Sequence, residues 1–223
     1  MSSQTLSRWS GGILLVGGLL SLASSTLSAF LFPGSNATPQ QMLGTPWFLS
    51  ELVLFVGVLL LVMGFPVSYG RQAARAGVLG FIGFVVLWVG MLLAMGFSMV
   101  RITVFPVLAQ VAPSVLANGD LPIAAGLLLI FGPALLLIVG SILTGIATIR
   151  ARVFSRWAGF LLLIAGAIYL IALVVPPVGD IIDPLSDAAL FLALAWFGYA
   201  LIAPGKAAVA DPSPASSVAQ PIR

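Results

Sequence analysis

Ser7-Arg8-Trp9-Ser10-Gly11-Gly12-Ile13-Leu14-Leu15-Val16-Gly17-Gly18 sets one cation and one indole in front of an apolar block that runs to Phe32 without another charge. A hydrocarbon core about 30 Å thick needs about 20 mostly apolar residues in helix, and this block supplies them. Five more blocks follow, at 47–67, 77–100, 121–147, 157–175 and 185–203. They are continuous rather than alternating, which excludes the roughly ten-residue, period-two strands of a membrane barrel. The expectation is an all-α, polytopic transmembrane helical bundle of six spans in a single domain over 1–203. The Ala-, Pro- and Ser-rich stretch 204–223 is expected to be a disordered cytoplasmic tail.

Composition agrees. Hydrophobic residues make up 61% and charged residues 7%, with nine basic and six acidic side chains, far below the charged quarter of ordinary soluble chains. With no Cys and no His, disulfides, iron–sulfur clusters and the usual ligands of haem, copper and catalytic zinc are missing. The net charge of +3 does not imply nucleic acid, because the basic residues stand singly or in threes beside apolar blocks.

Those positions give direction. With the amino terminus inside, the inner segments carry Arg8, Arg71, Arg75, Arg150, Arg152, Arg156, Lys206 and Arg223 with only Asp211. The outer segments carry Arg101 with Glu51, Asp120, Asp180, Asp183 and Asp187. The positive-inside rule therefore puts both termini in the cytoplasm. Trp9, Trp47 and Trp157 stand at block edges, where indoles favour the headgroup level. The first block is longer than the 7–15 residues of a signal-peptide core, and it is read as a retained span.

The opening string recurs as Ser155-Arg156-Trp157-Ala158-Gly159-Phe160-Leu161-Leu162-Leu163-Ile164-Ala165-Gly166, identical at seven of twelve positions. Ser50-Glu51-Leu52-Val53-Leu54-Phe55 likewise aligns with Ser186-Asp187-Ala188-Ala189-Leu190-Phe191. Span one thus resembles span five and span two resembles span six, with a weaker middle copy opening at Arg75-Ala76-Gly77. Three helical hairpins in parallel orientation are expected. In that scheme Glu51, Asp120 and Asp187 fall at or near the first turn of a returning helix, where the dipole favours a carboxylate.

Candidate functional residues are few. Glu51 lies about 6 Å past the start of its span, close to the hydrocarbon edge. With Arg101 it forms the one pair that topology does not explain, and an intramembrane ionisable group is a functional hypothesis by default. Gly17, Ser21, Ser25 and Ala29 recur every fourth residue as a small-residue packing face. Gly132-Pro133 interrupts the fourth span near its centre and is expected to kink it. Asp180, Asp183 and Asp187 read as one solvated outer loop, lacking the order of a calcium loop. Residues 102–116, broken by Pro106 and Pro113, are expected on the outer membrane surface. No catalytic, cofactor or metal-binding motif is found.

Gly140-Ser141-Ile142-Leu143-Thr144-Gly145-Ile146-Ala147-Thr148-Ile149-Arg150, the stretch from Arg156 to Ile171, and Ala195-Trp196-Phe197-Gly198-Tyr199-Ala200-Leu201 resemble small uncharacterised bacterial polytopic membrane proteins. That resemblance implies a bacterial inner (plasma) membrane and carries no activity across. The sequence favours a non-enzymatic accessory or structural subunit, packing in the lipid bilayer against other membrane protein subunits. A small-solute or ion transporter or channel is the alternative.

Overall fold

The computed structural model describes residues 3–32, 37–118 and 123–203, which are helical without strands. The helices are α1 (Ser3–Leu31), α2 (Pro39–Met42), α3 (Thr45–Val111), α4 (Pro113–Asn118), α5 (Ile123–Gly126), α6 (Gly132–Ala151), α7 (Arg156–Val174) and α8 (Pro176–Ile202). A π-helical turn, Leu127–Phe131, joins α5 to α6. Five segments are long and apolar enough to cross a membrane: Ser7–Leu31, Thr45–Val111, Leu127–Ala151, Arg156–Val174 and Pro184–Ile202. Residues 121 and 122, Asp120 with its expected capping role, and the tail 204–223 lie outside the described residues.

The second and third apolar blocks are one element. Built straight, the 67 residues of α3 would reach about 100 Å at 1.5 Å each. They do not run straight, because Gly77 adopts φ 61° and ψ −164°, a region open in practice only to glycine. The chain reverses there. Phe84 stacks on Tyr69 and Phe65, at 4.5 and 5.3 Å between centroids, and Trp88 Nε1 donates to the Val62 carbonyl at 3.0 Å. Farther out, Arg101 reaches Glu51. Partners grow farther apart in sequence with distance from Gly77, so the legs 45–76 and 78–111 are antiparallel. No loop separates the blocks because Phe65, Ser68, Gln72 and Ala76 extend a buried helical face through the expected gap.

The six legs form a ring in chain order. α1 packs on the first leg of α3, the second leg on α6, α6 on α7, α7 on α8, and α8 closes on α1. Each contact is antiparallel: Leu14 meets Gly64 and Ser24 meets Ser50, while Gly11 meets Gly198 and Ser25 meets Asp187. The closing seam is tight, since a Cβ on Gly198 would stand 2.4 Å from the Leu15 nitrogen. Small residues let helices approach in this way where lipid supplies no hydrophobic drive for association. Inside the ring, Leu14, Leu61, Phe65, Leu87, Leu162, Leu190, Leu194 and Phe197 make a dry centre.

Several expectations change. α3 runs through Pro106 to Val111 and α4 follows at Pro113, so 102–116 is helical on either side of Ala112. Phe105, Ala109 and Leu116 join Phe32, Ala37, Met42 and Trp47 in a small second core. Trp47 is 3% exposed within the protein, and it is no headgroup anchor, unlike Trp9, which is 67% exposed. α8 begins at Pro176, so the backbone of the expected acidic loop is helical and Asp187 sits about three turns inside. Neither α3 nor α8 has an acid in its first turn, so capping does not account for Glu51 or Asp187. Gly132-Pro133 opens α6 close to the amino-terminal end of Leu127–Ala151 rather than at mid-span. The Gly132 N–H bonds to the Leu127 carbonyl, so the irregularity is the π turn before the proline.

Gly77→Ala is expected to lower stability in detergent unfolding by about 1–3 kcal/mol, the strain of a side chain in that backbone region. Gly70→Ala, helical with open space around it, is the control. It should leave stability unchanged or raise it by up to about 1 kcal/mol.

Candidate functional site

Arg8, Arg71, Arg75, Arg150, Arg152 and Arg156 are exposed and gather at one end of the ring, around the Gly77 reversal and the α6–α7 connection. The opposite end holds a polar cluster around the buried Glu51. Glu51, in the second turn of α3, is 2% exposed. Arg101 on the returning leg puts Nη2 at 2.8 Å from Glu51 Oε1 while keeping 27% of its side-chain surface. Its guanidinium lies over the Trp47 ring at 4.8 Å and near Phe97 at 5.9 Å. Trp47 and Phe97 thereby hold the cation in place and displace water from it.

The second carboxylate comes from α8. Asp187 Oδ2 accepts from Ser25 Oγ at 2.9 Å, and Oδ1 accepts from the Tyr169 hydroxyl. Arg101 is close enough to both carboxylates to act on them electrostatically. Two acids and one guanidinium are thus drawn from α3 and α8, and α1 and α7 supply hydroxyls. Glu51 Oε2 is buried and has no hydrogen-bond partner among the described residues. Such an atom forfeits its hydration unless water, a proton or a cation meets it.

Next to the cluster lies a cavity of about 150 Å³, whose lining includes Ser98, Arg101, Tyr169, Asp187, Met91 and Phe191. It has room for several waters or one small solute. Its lining also takes in Leu61 and Leu190 of the apolar centre. Beyond that centre, Thr148 Oγ1 donates to Gln72 Oε1 at 3.3 Å, and both residues are buried.

The structure therefore brings Glu51 and Arg101 together as an ion pair. The stripe on α1 divides between two partners. Gly17 and Ser21 face the Gly57 region of α3, Ser25 faces Asp187, and Ala29 is half-buried. Gly132 and Pro133 contribute nothing to the cluster. Sequence reasoning passed over Tyr169 and gave Asp187 to a loop, although the Ser50-Glu51/Ser186-Asp187 alignment already made the two acids equivalent. Gln72 and Thr148 carried no signal beyond being polar.

Among the described residues the fold is that of an all-helical membrane protein, with Glu51 buried near one end of the bundle and six arginines exposed at the other. Comparison with known proteins finds no matching family, no similar curated protein and no similar solved structure.

Arg101→Gln strands Glu51 in the interior and should cost about 3 kcal/mol in detergent unfolding, the low end for a broken buried pair because Arg101 is partly exposed. In a double-mutant cycle, adding Glu51→Gln should recover part of that loss.

Proposed function

We propose that this chain is a non-enzymatic bacterial inner-membrane protein of six spans, with both termini cytoplasmic, that binds a small ion or solute in its outer polar chamber and moves it across the bilayer. The two legs of α3 count as two spans in this reading, which their antiparallel contacts support. Exposed arginines at a single end support the orientation through the positive-inside rule. The three-hairpin scheme gains support from Gly11 and Gly18, which face the preceding ring neighbour α8, as Gly159 and Gly166 face α6.

The observation that carries the transport reading is the Glu51–Arg101–Asp187 cluster, with Glu51 buried and Asp187 half-buried, beside a cavity. A structural bundle has little reason to bury a carboxylate such as Glu51, which costs several kcal/mol to dehydrate, whereas ion and solute paths use such groups. The accessory-subunit reading loses its main support, because Gly17, Ser21 and Ser25 are occupied by partners within the chain.

Purified protein in liposomes, loaded with ion- and proton-sensitive dyes under an imposed gradient, is expected to dissipate that gradient. Glu51→Gln, folded by circular dichroism, should lose at least about tenfold of the flux, the usual scale for one essential charged contact. Unchanged flux in that variant, or none in the wild type for cations, anions and protons alike, would remove the transport reading.

A further inference from the structure

Gly11 and Gly12 are neighbours in α1 with opposite surroundings. A Cβ on Gly11 would meet Leu201 at 2.7 Å and the Gly198 carbonyl at 2.9 Å, whereas a Cβ on Gly12 would meet nothing within 4 Å. Gly11 is explained by the seam with α8. Gly12 is not explained by any contact in the protein, although glycine within a helix costs about 1 kcal/mol relative to alanine.

What Gly12 does is leave room. Beside it a groove of about 680 Å³ runs along the outside of α1, walled by Ile13, Val16 and Leu60, with Arg8 and Trp9 at its mouth. Val16 and Trp9 are largely exposed, and Arg8 has no ion pair among the described residues. The groove is apolar along its length and cationic at one end, and that end is the arginine-rich end of the ring. An acyl chain matches the walls, an anionic headgroup matches Arg8, and an indole beside the ester region is the usual interfacial arrangement.

We infer that the groove between α1 and the first leg of α3 is a binding site for one anionic phospholipid, with its phosphate on Arg8 and an acyl chain lying over Gly12. The charge at the mouth selects this occupant over a neutral lipid. A second copy of the chain would bring the same arginine to the groove and repel it. The site is independent of the chamber at the other end, and it stands or falls separately from the transport reading.

The test is native mass spectrometry of the full chain released from nanodiscs of equimolar phosphatidylglycerol and phosphatidylcholine. Wild type should retain one phosphatidylglycerol with about fivefold preference over phosphatidylcholine, the equivalent of one arginine at a membrane surface. Arg8→Gln should abolish the preference and Arg8→Lys should keep it. Gly12→Leu, whose Cβ meets no protein atom within 4 Å and which leaves every charge in place, should lose the bound lipid of either kind while the circular dichroism stays unchanged and the melting temperature stays the same or rises. Equal retention of the two lipids by wild type, or undiminished lipid on Gly12→Leu, overturns the site. So does a dimer in the wild type that Gly12→Leu dissociates, since the groove then belongs to a second copy.

Discussion

The Glu51–Arg101 pair determines more than its own corner of the molecule. A carboxylate with 2% of its surface exposed is tenable because a guanidinium sits 2.8 Å away, in a medium where an unpaired charge would cost several kcal/mol. The two residues stand 50 positions apart in one helical element, whose reversal at Gly77 alone would leave the legs free to splay. Glycine geometry closes the hairpin at one end and the ion pair closes it at the other. With the register of α3 fixed at both ends, α1 and α6 meet defined faces on either side, and the rest of the ring follows from those seams.

The two ends of the bundle treat charge in opposite ways. Six arginines stand exposed at one, where water and headgroups hydrate them and topology is their main role. The other end holds a buried acid, a half-buried acid and a partly exposed arginine among Trp47, Phe97 and Tyr169, where each charge interacts more strongly with its neighbours. Between them, Leu14, Leu61, Leu87 and Phe197 fill the centre with apolar side chains. In the proposed transport, a solute in the chamber beside Asp187 meets an apolar barrier before the Gln72–Thr148 pair, so passage would need the helices to move relative to one another.

Apolar continuity and the placement of arginine made the helical class legible, because a bilayer requires every backbone group to bond internally. The Ser-Arg-Trp strings marked the starts of α1's apolar block and of α7, and Glu51 and Arg101 stood out as charges without a topological task. Helix ends were not legible. Pro106 read as a break, yet it lies inside α3, and the last apolar block read as starting at 185, yet its helix begins at Pro176 and runs through Pro184. The carboxylates between Gly179 and Asp187 looked like a solvated loop because sequence does not reveal that Tyr169 and Ser25 await one of them. The small-residue stripe on α1 announced close packing, but a four-residue spacing carries no label for its partner. Only the ring assigned Gly17 to α3 and Ser25 to α8.

The seam between α1 and α8 sets an order of events during synthesis. The chain leaves the ribosome from α1 onward, so the first helix enters the bilayer long before the helix that covers its Gly11, Gly18 and Ser25 face exists. Until α8 arrives, the ring is an open arc with a polar serine and a smooth glycine edge facing lipid or an insertion factor. Asp187 has the matching problem, since its carboxylate enters on α8 and finds its serine on α1. Ring closure and the pairing of the second acid are therefore one event, and it waits for α8.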